Sequence, residues 1–129
     1  MIKKPDGNIV LLIEDDTDIR TFACRVLELE GYICLQAETG DEAFKLIMGN
    51  KVNLVLLDLR LAENNGWMIL KKLKKDAETS PIPVIVFTAS LGEQQRASAL
   101  KMGAADYLIK PLSANVLRDA VACVLPLKK

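Results

Sequence analysis

Residues 10–16 read Val-Leu-Leu-Ile-Glu-Asp-Asp, so four aliphatic side chains stand directly before three carboxylates. Residues 54–58, Leu-Val-Leu-Leu-Asp, repeat this order. Near-continuous apolar runs of this length are typical of central strands in a parallel sheet that is covered on both faces. Ligands of such sheets bind beyond the carboxyl ends of the strands, so the acidic residues mark the edge where chemistry is expected.

The rest of the chain alternates between short runs of strand character and longer segments of helical period. The predicted strands are residues 8–13, 32–37, 53–57, 84–87 and 106–109, and the predicted helices are residues 18–30, 41–48, 67–75, 91–102 and 114–124. Alternating strands and helices require right-handed crossovers, which predict an α/β fold with a doubly wound, five-stranded parallel sheet. We expect one domain over residues 1–129, with a core at about residues 8–125.

Helix ends carry recognisable signals. Two pairs match the capping box, in which a hydroxyl and a carboxylate satisfy free amides: Thr39 with Glu42 and Ser90 with Glu93. Asp16 is expected to cap the helix that begins near residue 17. Glycines that tolerate a left-handed turn stand at predicted helix ends: Gly31, Gly49 and Gly103.

Composition narrows the possible functions. Half of the 129 residues are hydrophobic, which excludes a disordered chain, and 17 basic residues balance 17 acidic ones. Nucleic-acid binding would therefore need a local basic patch. The densest basic run, residues 71–75, is predicted to be the solvated side of a helix whose Ile69, Leu70 and Leu73 face inward, so no direct nucleic-acid contact is expected.

Cysteine and histidine usage limits the chemistry further. Cys24, Cys34 and Cys123 are widely spaced and form no CxxC pair, so they are interpreted as buried thiols rather than as a disulfide framework or a zinc site. The chain has no histidine, which excludes Ser-His triads, histidine metal sites and an internal phosphohistidine. The apolar stretch at residues 9–13 is too short to span a bilayer, no signal peptide is apparent, and we expect a cytoplasmic protein.

Polar side chains follow four of the five predicted strands: Glu14, Asp15 and Asp16, then Asp58, Thr88 and Lys110. Neighbouring carboxylates repel one another unless a cation relieves them, and their hard oxygens suit Mg²⁺. A metal held by Asp15 and Asp58 would also clamp a phosphoryl group, with Lys110 on a second phosphoryl oxygen. Asp58 would then act as a nucleophile and form an acyl phosphate. Each residue alone is more often a cap or a solvated side chain; their joint occurrence favours a site.

With these motifs the chain resembles the response-regulator receiver family over nearly its whole length. The matching segments are residues 10–16 with Arg20, residues 56–59 with Gly66, residues 84–89 and residues 103–111. The resemblance implies a flavodoxin-like fold with strand order 2-1-3-4-5. It also implies a signalling phosphoacceptor that catalyses only its own phosphorylation and dephosphorylation, and that is not otherwise an enzyme.

The resemblance assigns expected roles to single residues. The phosphoacceptor is Asp58, and the ligands of Mg²⁺ or Mn²⁺ are Asp15, Asp58, Glu14 through water, and the main-chain carbonyl of Arg60. The remaining roles are the switch hydroxyl of Thr88, the phosphoryl salt bridge of Lys110, the aromatic switch of Tyr107 and a cis bond before Pro111. The family commonly has proline and an acidic residue where this chain has Ala62 and Asn65. Arg60 also places a long cation where smaller or uncharged side chains are common and, with Ser90, bears on how fast water reaches the acyl phosphate.

The implied partners are a histidine kinase or histidine phosphotransfer protein as donor, and a downstream effector protein or domain. The surface of the fourth helix, fifth strand and fifth helix would change on phosphorylation, and it could also form a homodimer. No membrane partner is expected. A standalone regulator and a piece of a longer protein both fit the sequence.

Three alternatives remain. A phosphohydrolase of the haloacid-dehalogenase type needs a second aspartate two residues after Asp58, where this chain has Arg60. A flavodoxin-like flavin module would bring a phosphate to Glu14, Asp15 and Asp16, which repel it when no metal is bound. A scaffold that keeps the fold without phosphorylation is opposed by the complete set of site residues.

Overall fold

In a computed structural model, residues 8–61, 66–89 and 92–125 are described, and they alternate strands with helices. The strands are β1 (Ile9–Ile13), β2 (Ile33–Ala37), β3 (Leu54–Asp58), β4 (Val84–Thr88) and β5 (Asp106–Ile109). The helices are α1 (Thr17–Leu29), α2 (Gly40–Gly49), α3 (Gly66–Lys75), α4 (Glu93–Lys101) and α5 (Ala114–Val124). All neighbouring strands are parallel, in the order β2-β1-β3-β4-β5. The predicted fold class and strand order are therefore confirmed.

The centre of the sheet is formed by the two runs that open the sequence argument. All five residues of β3 are buried, as are the last four residues of β1. Ile13 lies between Ala37 of β2 and Leu57 of β3 in the strand register. The alternation of side chains along a strand explains why both faces need cover: Leu11 and Ile13 join one core, while Val10 and Leu12 join the other.

Each core is closed by its own helices. The first core packs the sheet against α2, α3 and α4 through buried residues such as Ala43, Leu70 and Ala99. The second core packs it against α1 and α5 through residues such as Leu27 and Leu117. This two-sided cover leaves the carboxyl ends of the strands as the place where polar groups collect.

Most helix boundaries follow the predicted signals. Asp16 caps α1, because its carboxylate accepts from the amides of residues 18 and 19 at 2.9 and 3.2 Å. The Thr39 hydroxyl accepts from the Glu42 amide at 3.2 Å, but the Glu42 carboxylate accepts from the Glu38 amide instead of completing the predicted box on Thr39. Ser90 lies outside the described residues, and the N-cap of α4 is Gly92.

Glycine ends two of the helices as expected. Gly31 and Gly103 follow α1 and α4 with φ of 98° and 113°, a region that other residues rarely adopt. Gly49 is instead the last residue of α2, and Asn50 is the C-cap of that helix. The predicted end of α2 at residue 48 is therefore one residue too early.

The interpretation of the cysteines as buried thiols is wrong. Cys24 of α1 and Cys34 of β2 form a disulfide, and Cys123 is exposed. Helix α1 crosses from β1 to β2 and packs on the strand that follows it, which brings two cysteines ten residues apart to a Cα separation of 5.6 Å. A crossover contact of this kind has no spacing signature in the sequence.

The basic run on α3 is solvated only in part. Ile69, Leu70 and Leu73 are buried as predicted. Lys74, however, turns back to the protein, and its Nζ donates to the carbonyls of Ser80 and Ile82 at 2.8 Å each.

Among the described residues, no helix combines the length and the apolar character that crossing a bilayer requires.

Candidate functional site

The site lies at the carboxyl edge of the sheet, where three segments meet. Glu14 follows β1, Asp58 is the last residue of the neighbouring β3, and Lys110 follows β5. The predicted strand ends at residues 57 and 87 were one residue short, because Asp58 and Thr88 still pair in the sheet, opposite Phe87 and Ile109. The strand register therefore fixes the backbone of both polar residues.

Three carboxylates form an acidic cluster, which we define as Glu14, Asp15 and Asp58. One oxygen from each lies within 4.8 Å of the others. Glu14 and Asp58 are only 1% and 2% exposed, while Asp15 is half-buried. Three hard oxygen donors at this spacing, one of them reached from solvent, fit a divalent cation that keeps several waters.

Lys110 supplies a positive charge inside the cluster. Its Nζ donates to Glu14 Oε1 at 2.7 Å and to Asp58 Oδ2 at 3.1 Å. The same Nζ lies 5.2 Å from the centre of the Phe87 ring, within the range of a cation–π contact. Burial opposes the charge of Lys110, but the two carboxylates outweigh it and raise the pKa of the amine above its ordinary value.

The pKa of Glu14 is shifted by its surroundings. Burial raises the pKa of its carboxyl to about 7, and the nearby charge of Asp58 adds to this effect. The hydrogen bonds from Lys110 and from the Asp16 amide act in the opposite direction. A cation bound at the cluster would favour the ionised form of Glu14 in the same way as Lys110 does.

Asp58 is held at both carboxylate oxygens. Oδ1 accepts from the Arg60 amide at 2.9 Å, and Oδ2 accepts from Lys110. The amide of Gly66, the first residue of α3, donates to the Leu59 carbonyl at 3.2 Å. The nucleophile expected from the sequence thus has one fixed orientation.

Arg20 is a residue that the chemical argument from the sequence did not use. It is buried on α1, and its guanidinium donates to the Glu14 carbonyl at 2.8 Å. A signal was present, since Arg20 lies at helical spacing from Ala23, Cys24 and Leu27, which are buried residues of α1. A cation on the apolar face of a helix indicates a specific partner.

The expected switch residues are buried on β4 and β5. Thr88 is fully buried at the end of β4, the strand beside Asp58, and Tyr107 is 6% exposed in β5. Burial raises the pKa of the Tyr107 hydroxyl. The Lys110–Pro111 bond is cis, as the resemblance implied. Ala62 and Asn65, where the chain departs from the common family pattern, lie outside the described residues, as does Ser90.

The family model described as the response regulator receiver domain matches residues 10–122. The chain belongs to this family. Receiver domains are signalling modules of two-component response regulators, not enzymes in the ordinary sense, and they bind Mg²⁺ at an acidic pocket. In this receiver domain, Glu14, Asp15 and Asp58 form an acidic cluster at the carboxyl edge of the sheet.

Curated relatives agree with the family. The receiver chain is 36% identical over 119 residues to the phosphate regulon transcriptional regulatory protein PhoB of Pseudomonas aeruginosa, covering 92% of this chain and 52% of PhoB. It is 35% identical over 116 residues to the protein PilH of the same species, covering 89% of this chain and 96% of PilH. The chain thus spans about half the length of PhoB and nearly all of PilH.

Solved structures share the fold. A two-component response regulator from Clostridium difficile superposes with a TM-score of 0.85 at 30% identity, covering 92% of this receiver chain and 96% of that one. The chemotaxis protein CheY4 of Vibrio cholerae superposes with a TM-score of 0.86 at 21% identity, covering 92% and 99%. At 21% identity, the match to CheY4 shows only that the fold is shared.

Proposed function

We propose that this receiver domain accepts a phosphoryl group on Asp58 from the phosphohistidine of a histidine kinase or a histidine phosphotransfer protein, with Mg²⁺ or Mn²⁺ at the acidic cluster. The observation that carries the proposal is the placement of Asp58. Its carboxylate shares a 4.8 Å cluster with Glu14 and Asp15 and also accepts from Lys110 at 3.1 Å. A nucleophile, a cation site and a phosphate-binding amine thus meet at one carboxylate.

The transfer forms one bond and breaks another. An oxygen of the Asp58 carboxylate attacks phosphorus in line, an O–P bond forms, and the P–N bond to the donor imidazole breaks. Lys110 can follow the phosphoryl oxygens because its long side chain already reaches Asp58 from the end of β5. The Arg60 amide holds Oδ1 of Asp58 during approach. Attack of water on phosphorus then breaks the O–P bond to Asp58, releases inorganic phosphate and restores the carboxylate.

The acidic cluster would hold the divalent cation through Asp15 and Asp58, with Glu14 acting through water and the Arg60 carbonyl completing the protein ligands. When bound, the cation neutralises charge on the phosphoryl oxygens. Lys110 meanwhile balances Glu14 and Asp58, so these buried carboxylates keep a positive partner. The single positive charge of Lys110 and the two positive charges of a divalent cation together balance the three carboxylates of the cluster.

A groove beside the site suits the approach of a donor. It is lined by residues of α1 and of the segment after β5, among them Ile19, Phe22, Lys110 and Leu112, and its volume is about 470 Å³. Phe22 is 41% exposed. A helix of the donor seated on this apolar surface would bring its phosphohistidine to the side of the site where Lys110 lies.

The output surface is proposed to be formed by α4, β5 and α5. Thr88 would turn toward the new phosphoryl oxygen, and Tyr107 would follow into the space that the hydroxyl leaves. This surface exposes three large apolar side chains, Leu100, Ile109 and Val116. A downstream effector or a second copy of the domain would cover them in one of the two states.

The test is phosphorylation by a small acyl-phosphate donor, acetyl phosphate, followed by intact mass. With Mg²⁺ the wild-type protein should gain the mass of one phosphoryl group, and a chelator should prevent the gain. Asp58→Asn should stay unlabelled, while the control Asp119→Asn, on the exposed side of α5, should label like the wild type. Equal labelling of Asp58→Asn would refute the assignment, and an unlabelled wild type would favour the scaffold role.

A further inference from the structure

Arg20 is a buried cation on α1 with no part in the proposed phosphoryl transfer. It is 8% exposed and sits among the buried apolar residues of the helix. Burying a guanidinium is costly unless its donors are paired. The contacts that offset this cost identify what Arg20 does.

The guanidinium joins three segments of the chain. Nη1 donates to the Glu14 carbonyl at 2.8 Å, and Nε donates to Gln36 Oε1 at 3.2 Å. Nη2 donates to Glu38 Oε2 at 3.2 Å and to Thr17 Oγ1 at 3.4 Å. Arg20 therefore connects α1 with the end of β1 and with the end of β2.

The contact with Glu14 goes to its main chain. The Glu14 amide donates to the Ala37 carbonyl at 3.0 Å, so Arg20 on the carbonyl side completes the fixation of this residue. The Glu14 carbonyl belongs to the planar peptide unit that leads into Asp15. Holding that oxygen sets the direction in which the chain carries the Asp15 side chain, one of the three members of the acidic cluster.

We infer that Arg20 is a positioning residue of the acidic cluster, which sets the affinity of the site for a divalent cation by fixing the Glu14–Asp15 peptide unit. The inference rests on the proposed cation site. Glu38, its ion-pair partner, has a side chain that is 58% exposed, so solvent screens the attraction between the two charges. The hydrogen bond to the Glu14 carbonyl carries the effect.

The first test compares Mn²⁺ affinities, measured by electron paramagnetic resonance of the free ion. Arg20→Met should weaken binding by about tenfold or more, as is common for groups that orient metal ligands. Arg20→Lys should recover part of the loss, because an ammonium can still donate to the Glu14 carbonyl. Arg25→Met removes an exposed charge from the same helix and should leave the affinity unchanged.

A second control separates positioning from general loss of stability. Val26→Ala truncates another buried residue of α1. It should destabilise the fold while keeping the Mn²⁺ affinity within about twofold of the wild type, since it does not touch the cluster. Equal weakening in Val26→Ala and Arg20→Met, measured where both are folded, would overturn the inference. So would an unchanged affinity of Arg20→Met.

Hydrogen exchange without metal provides a readout that does not depend on the cation. The Asp16 amide donates to Glu14 Oε2 at 3.0 Å, and the Glu14 amide donates to Ala37. Both amides should exchange faster in Arg20→Met, or in Arg20→Lys if the methionine variant does not fold, than in Val26→Ala. A wild type that binds no Mn²⁺ would refute the cation site, whereas unchanged exchange at these amides would refute the role of Arg20.

Discussion

Gly66 packs against the backbone of Asp58 so closely that no side chain fits between them. A Cβ added at Gly66 would lie 2.5 Å from the Asp58 carbonyl oxygen and 2.5 Å from the Cα of Leu59. The start of α3 is thereby pressed onto the strand end that carries the proposed phosphoacceptor. The position of the Asp58 carboxylate therefore depends on Gly66, a residue without a side chain.

Replacing Gly66 by alanine should lower the free energy of unfolding by about 1–3 kcal/mol, because the contact involves backbone atoms that cannot rotate away. Urea denaturation measures the change. The matched control is Gly49→Ala, where an added Cβ meets nothing within 4 Å and helix propensity favours alanine. Similar effects of the two substitutions would show that the contact at Asp58 is not the cause.

Glu14 should make the stability of the metal-free protein depend on pH. Its pKa rises from 4.5 to about 7 on folding, mainly through burial, so the folded state holds the proton more tightly. The contribution of Glu14 to the free energy of unfolding is complete below the pKa of this carboxyl in the unfolded chain. It is lost as the pH rises through the pKa in the folded protein. The free energy of unfolding in a chelator should therefore fall from about pH 5 to about pH 8 in the wild type more than in Glu14→Gln.

A second consequence of the same carboxyl concerns the cation. Binding of Mg²⁺ favours ionised Glu14, so the affinity should rise with pH through the range in which Glu14 loses its proton. Titration of the wild type and of Glu14→Gln at the same two pH values measures this. An equal rise in both proteins would assign the pH dependence to another group.

Lys110→Met should destabilise the metal-free fold by about 2–4 kcal/mol, because it leaves the buried carboxylates of Glu14 and Asp58 without their cation. The loss should be smaller when Asp58→Asn is already present, since one of the two charges is then absent. Chemical denaturation of the four proteins of this cycle gives the coupling. Lys51→Met, at an exposed position, is the control for removal of a charge.

Lys74 is predicted to be a structural lysine. Its Nζ donates to the Ser80 and Ile82 carbonyls, and burial lowers the pKa of the amine. Lys74→Met keeps most of the apolar stem but leaves both carbonyls without this donor, which should cost about 1–3 kcal/mol in urea denaturation. Lys75→Met, the exposed neighbour, should change stability by less than about 0.5 kcal/mol. Equal effects would refute the structural role.

The amino-acid pattern was sufficient for the architecture and for the members of the acidic cluster. Strand and helix periods depend on neighbours a few residues apart, so β1, β3 and the Asp16 cap of α1 could be read locally. The rule that ligands collect beyond the carboxyl ends of parallel strands then placed Glu14, Asp58 and Lys110 at one edge. The structure brings these three together within hydrogen-bond reach.

Tertiary structure alone decided how those groups are held. Lys110 contacts Glu14 at a sequence separation of 96 residues, and Arg20 contacts Glu38 at a separation of 18. Neither pair can be recognised from a local spacing in the sequence. The same holds for the Cys24–Cys34 disulfide and for the contact of Gly66 with Asp58. Local periodicity determines which face of each element is buried, but only the packing of one element on another determines which polar groups meet there.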